Sequence, residues 1–77
     1  MNITIKYFGQ IAEVTKQTNE TISFPNHLVS ELIEHLYVKY PELKNKSFKI
    51  AQNQELVSNS TKLTGGDIAL LPPFAGG

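Results

Sequence analysis

Gly76 and Gly77 close the sequence after Leu71-Pro72-Pro73-Phe74-Ala75, and their types and placement point to chemistry at the terminal carboxylate. Glycine packs no side chain and loses the most backbone freedom on ordering, so a folded domain gains nothing from such a pair. The tail is made to be handled. From Ile68 to Gly77 no side chain is charged, which leaves the carboxylate as the lone charge of the segment. A stretch of this kind can thread a narrow apolar channel on another protein without stranding an ionised group away from water.

Other chemistries find little support. Cysteine is absent, which removes a disulfide framework, a thiolate metal site and a cysteine nucleophile. His27 and His35 are about 12 Å apart along a helix, too far to ligate one ion, and both read as surface residues. His35 follows Glu31 at the spacing that adds slight helix stability. Seven basic and seven acidic residues cancel, which argues against nucleic acid or an anionic membrane as partner. Lys6, Glu13 and Lys16 interrupt the N-terminal stretch, so neither a membrane span nor a signal-peptide core is expected, and the protein should be soluble and cytoplasmic. With 77 residues there is room for one domain, residues 1–77, ending in a flexible tail over 72–77. Such a domain buries only roughly 60% of the surface its unfolded chain exposes, so no deep enzymatic pocket is expected.

The elements that must position the tail follow from periodicity. Ile3, Ile5 and Tyr7 alternate with Thr4, Lys6 and Phe8, which predicts a strand over residues 2–8. A connection over 10–19, with one helical turn around 11–14, leads to a second strand at 21–24. Apolar residues at Val29, Leu32, Ile33, Leu36 and Tyr40 recur at helical spacing. Asn26 as N-cap and Pro41 as stop predict a helix from about 27 to 39 or 40. Residues 41–46 are polar. Two short strands, 48–52 and 55–57, flank an Asn53-Gln54 turn. After a loop, Gly65-Gly66-Asp67 turns the chain into a last strand over 68–71, ended by two prolines that cannot donate to a ladder. Because that glycine pair leads into a strand rather than a helix, it reads as turn chemistry without a phosphate-cradling role.

One sheet with one helix across it is the two-layer answer to this order, an α+β fold. In a β-grasp arrangement the first and last strands are parallel neighbours in the middle of the sheet. Ile3, Ile5, Tyr7, Ile68 and Leu70 then face the helix. Phe8 and Leu71 lie side by side on the open face. A large apolar patch at the root of the tail suggests a protein contact, with Leu56 and Phe74 as further members.

Tyr7-Phe8-Gly9-Gln10, the turn Asn53-Gln54-Glu55-Leu56-Val57, Gly66-Asp67 and above all Leu71-Pro72-Pro73-Phe74-Ala75-Gly76-Gly77 resemble the small-subunit family of molybdopterin synthase. Its members are ubiquitin-like sulfur carriers with the β-grasp fold. The resemblance spans the whole chain. The Pro-Pro-x-x-Gly-Gly ending is its most specific element, since a bare Gly-Gly is shared with ubiquitin-type modifiers and the thiamine-pathway sulfur carrier. Departures occur at Leu28, where the family often has a helix-capping Thr or Ser, and at Ala12, where relatives can carry a basic residue.

The resemblance implies a reaction sequence at Gly77. An adenylyltransferase resembling the ubiquitin-activating enzymes would use ATP and magnesium to convert the carboxylate to an acyl adenylate. Sulfur from a sulfurtransferase would then give a thiocarboxylate. The tail would enter the large subunit of molybdopterin synthase in a heterotetramer, where sulfur passes to cyclic pyranopterin monophosphate, one carrier per sulfur. The chain itself would bind no cofactor and no metal. Pro72-Pro73 would keep the tail extended at low entropic cost. Gly76 and Gly77 would let it pass a constriction, and five residues from Pro73 reach at most roughly 17 Å. A protein modifier, a thiamine-pathway carrier and a binding module with incidental glycines remain alternatives. Modifier tails often carry a basic residue near the end, and the thiamine carrier's usual tail lacks the double proline.

Overall fold

The alternation of Ile3, Ile5 and Tyr7 builds β1 (Asn2–Tyr7) in the computed structural model, which describes residues 1–25 and 28–73. A six-residue helix, α1 (Gln10–Thr15), follows and drops Ile11 into the core. It contains and extends the helical turn expected around 11–14. The chain then forms β2 (Asn19–Ser23), α2 (Val29–Lys39) and a 3-10 helix over Pro41–Asn45. Three strands complete the order: β3 (Lys49–Gln52), β4 (Glu55–Val57) and β5 (Gly66–Leu71). No helix among the described residues is long and apolar enough to cross a membrane.

The strands make one five-stranded sheet in the order β2-β1-β5-β3-β4. β1 and β5 are parallel neighbours, with Ile5 opposite Ile68 and Tyr7 opposite Leu70. The other pairings are antiparallel. On one face Ile3, Ile5, Tyr7, Ile68 and Leu70 are at most 2% exposed and pack on Val29, Leu32 and Leu36 of α2. The period-2 and period-3.6 patterns therefore meet in one core, as the alternation predicts.

Element ends differ from the sequence-based expectation for local reasons. The expected N-cap Asn26, with His27, lies outside the described residues. Helix α2 starts at Val29, after an extended Leu28 (φ −109°, ψ 148°). Leucine has no polar side chain to cap with, so other groups take over. Thr61 and Asn59 offer backbone carbonyls to the N–H groups of Val29 and Ser30, both at 2.9 Å, and Glu31 Oε1 accepts from the Leu28 N–H at 2.8 Å. Glu31 is thus engaged with the helix start, while the His35 ring lies 5.3 Å from that of Phe24. The loop that supplies those carbonyls is tied to β3 by Gln52, whose amide donates to Lys62 O and accepts from the Thr64 N–H, both at 3.0 Å.

Glu20 explains why β2 begins two residues before the apolar alternation does. Its carboxylate accepts hydrogen bonds from the Tyr7 hydroxyl, from the Tyr40 hydroxyl at 2.9 Å and from Lys39 Nζ at 2.6 Å. Gln17 Nε2 donates to Tyr40 Oη at 2.6 Å and closes the network. The strand edge is thereby sewn to the end of α2. Burial raises the Glu20 pKa, but the bonds from Lys39, Tyr7 and Tyr40 outweigh it and hold the carboxyl below its usual value. Burial and the Glu20 contact push the Tyr7 hydroxyl well above the phenol range. A carboxyl whose folded pKa is depressed contributes stability above its unfolded pKa and loses it as pH falls through the folded value. Glu20→Gln is therefore expected to cost roughly 1–3 kcal/mol at neutral pH. The gap to the unaltered protein should narrow on acidification below about pH 4.5. Urea unfolding over that range checks it; a gap that stayed constant into acid would show that the charge of Glu20 is not what holds the network.

Candidate functional site

The open face of the sheet carries a groove of ≈ 530 Å³. Its origin lies in the strand register. Lys6 pairs with Ala69, Ala69 with Ala51, and Ala51 with Leu56, so these four residues form one row across β1, β5, β3 and β4. The two inner members are alanines that fill no space beyond Cβ, and the row sinks between Lys6 and Leu56. In the next row, towards the end of β5, Leu71 pairs with Lys49. Phe8 stands beside them, its backbone N–H donating to Leu70 O at 3.2 Å. Pro72 closes that end of the groove, and Asp67 and Gln54 line the other.

Phe8 is 44% and Leu56 64% exposed, whereas the core side chains on the far face are shut away from water. Exposed large apolar side chains around one concavity make a surface that a partner can cover. Among the described residues the groove holds no hydroxyl or thiol nucleophile and no carboxylate pair suited to acid-base exchange. Lys6 and Asp67 form a well-exposed ion pair at 3.5 Å, worth little in water. Lys49 adds a second cation at the rim. What this arrangement can do is adhere: it offers apolar contact in the middle and positive charge at the edge. No group of three or more His, Cys, Asp or Glu is placed to hold a metal among the described residues.

The structure brings Phe8, Leu56, Leu71 and Pro72 to one groove and leaves Pro73 directly after it, half-buried. Phe74, Ala75, Gly76 and Gly77 lie outside the described residues, so the expectations placed on them concern a part of the chain beyond this geometry. Sequence reasoning missed the alanine floor, although the signal was there. The alternation that turned Leu71 outward also turns Ala69 and Asp67 outward, and the hairpin register does the same for Ala51. Small residues attract no notice until their neighbours are large. Asn53 and Gln54 form the predicted two-residue turn, both at positive φ (51° and 72°), the twist that a tight hairpin demands.

A mixed sheet whose parallel central strands come from the two ends of the chain, crossed on one face by a single main helix, defines the ubiquitin-like β-grasp class. Sequence comparison agrees with the geometry. Residues 5–77 match the ThiS family, and the chain belongs to that family. It is similar to the human molybdopterin synthase sulfur carrier subunit, 32% identical over 82 aligned positions that cover 97% of this chain and 93% of that protein. Among solved structures it resembles a Pyrococcus furiosus protein described as molybdopterin converting factor subunit 1, with TM-score 0.87 and 24% identity over 95% of this chain and 98% of that one. It also resembles small archaeal modifier protein 1 of Haloferax volcanii, with TM-score 0.81, 20% identity and full coverage of both chains. At those identities the two structures speak for the fold.

Proposed function

We propose that this chain carries sulfur for the synthesis of molybdopterin, with the Gly77 carboxylate as the reacting group. The observation that supports this most is where the last strand delivers the chain. β5 is held between β1 and β3 as far as Leu71, and Pro72 leaves it at the rim of an apolar groove. Docking and delivery thus share one edge of the molecule, as a carrier requires. Family membership and the similarity to the human carrier subunit point the same way.

The chemistry is that of a co-substrate. A free carboxylate is a poor electrophile. An adenylating partner uses ATP and magnesium to join it to AMP, with release of pyrophosphate. Sulfide-level sulfur, released from a sulfurtransferase persulfide by a second thiol with formation of a disulfide, then attacks the acyl carbon, expels AMP and leaves a thiocarboxylate, a sulfur nucleophile held without any cysteine. The large subunit of molybdopterin synthase receives the tail, the sulfur attacks cyclic pyranopterin monophosphate, and water cleaves the Gly77 C–S bond, which leaves sulfur on the substrate and returns the carboxylate. Phe8, Leu56, Leu71 and Phe74 make the contact, Pro72, Pro73, Phe74, Ala75 and Gly76 thread, and the partners supply the acids and bases. The chain acts in the cytoplasm and binds no cofactor of its own.

Intact-mass measurement of the protein purified from its native host tests this reading. A species with one oxygen replaced by sulfur at the C-terminus is the expected result. Conjugates joined through Gly77 with no sulfur form would instead make the chain a modifier, and neither species would make it a passive binding module. Enrichment of the sulfur form in cells blocked in molybdopterin synthesis, and not in thiamine synthesis, would assign the pathway.

A further inference from the structure

We infer that Gly9 is a positioning residue for the C-terminal tail: its bare backbone is the seat of the Pro72 ring, and that contact fixes the direction in which the chain leaves β5. The inference rests on the carrier reading for its consequence but on separate geometry for its substance. Gly9 adopts φ 57° and ψ −132°, and it caps α1 through its carbonyl, which accepts from the Ala12 N–H at 3.1 Å. A Cβ at this position would lie 2.8 Å from Pro72 Cγ, closer than side-chain carbons come. The other glycines at positive φ differ. At Gly65 nothing lies nearer than 3.9 Å to such a Cβ, and at Gly66 the nearest atom is a side-chain oxygen at 3.2 Å. Those two serve their turn, whereas Gly9 serves both its own conformation and the ring above it.

The consequence follows from leverage. Proline fixes its own φ, so a tilt of the Pro72 ring turns everything that follows it. A small rotation at the root displaces the end of an extended segment by ångströms. Reacting groups do not tolerate a miss of that size. The contact also keeps Pro72 as a wall of the docking groove, which joins the direction of the tail to the surface that the partner covers.

A mutant cycle of Gly9→Ala and Pro72→Ala tests this, because removing Cγ removes the clash but leaves the backbone of residue 9 as strained as before. The first readout is pyrophosphate exchange with the cognate activating enzyme, run well below the melting temperature of each variant. Gly9→Ala should lower kcat by about 10-fold or more with KM changed less than about 3-fold, since the tail is misdirected while the apolar face still docks. In the Pro72→Ala background the same substitution should cost less than about 3-fold. Equal losses in both backgrounds would reduce Gly9 to a structural glycine and overturn the inference. The second readout is independent of activity. The chain has no cysteine, so Ala75→Cys takes one nitroxide label, and the pattern of broadened sheet amides reports where the tail points. That pattern should change with Gly9→Ala and respond far less to it once Pro72→Ala is present. If the unaltered protein is never adenylated, the carrier reading falls and the label cycle still decides the seat. If Gly9→Ala fails to fold, Pro72→Ala alone must alter the pattern, and an unchanged pattern would overturn the inference.

Discussion

Removal of Gly77 is expected to abolish pyrophosphate exchange with the cognate activating enzyme while leaving the melting curve where it was. One residue of extended chain is roughly 3.5 Å, and a displacement of about 1 Å at a reacting centre can cost on the order of 100-fold in rate. The fold offers no slack to make up the loss. Leu71 is paired to Lys49 in the ladder, and Pro72 rests against Gly9, so the root of the tail cannot advance without unpairing β5. An added C-terminal alanine should be equally damaging, because it turns the reactive carboxylate into an amide. Neither change touches the sheet. Exchange assays and thermal melts on the intact, shortened and extended proteins check the expectation. Near-normal exchange by the shortened protein would return the chain to the class of small binding modules.

Phe8→Ala should weaken binding to the large subunit by about 2 kcal/mol, roughly 30-fold in Kd, as truncation of a central apolar anchor does. It should cost far less in stability. Phe8 is 44% exposed in the free protein and packs beside the groove, whereas Leu36 is fully buried beneath the sheet. Leu36→Ala should therefore cost roughly 2–5 kcal/mol of folding free energy. Titration calorimetry and urea unfolding on the two variants separate the effects. The carrier reading requires the losses to fall on opposite sides, binding for Phe8→Ala and folding for Leu36→Ala. Loss of stability from Phe8→Ala as large as that from Leu36→Ala would place Phe8 in the core and remove it from the docking surface.

The parts of this molecule legible in its sequence are those where one period runs long enough to be counted. β1, β5 and α2 emerge from alternation and from helical spacing, and the facing of Ile3, Ile5, Ile68 and Leu70 emerges with them. The 3-10 helix over Pro41–Asn45 does not, because Leu43 is its sole buried residue and one apolar side chain has no period. The early start of β2 is hidden for another reason. Glu20 sits in a strand because Tyr7, Lys39 and Tyr40 are there to bond it, and those partners come from distant parts of the chain. The groove is half legible: Phe8, Leu56 and Leu71 stand out as large, but a concavity is made by what is small. Ala51 and Ala69 matter only once β3 and β5 are known to be neighbours. Gly9 stands out only as part of the Tyr7-Phe8-Gly9-Gln10 motif, and its contact with Pro72 is hidden because that ring arrives from sixty-three residues later.

β5 comes last among the strands and yet lies in the middle of the sheet. During synthesis β1 and β3 therefore emerge with one edge each unmatched, and they wait for residues 66–71 before the sheet can close. Pairing across such a long stretch of chain is slow to form, and until it forms the nascent protein offers exposed strand edges to proteases and chaperones. A ribosome that stalls before residue 66 releases a chain with no sheet centre and no groove. The groove is thus assembled only on chains translated through β5, and shorter products lack the surface that the carrier reading assigns to docking. By placing its final strand at the centre, the fold makes the groove depend on translation through residue 71.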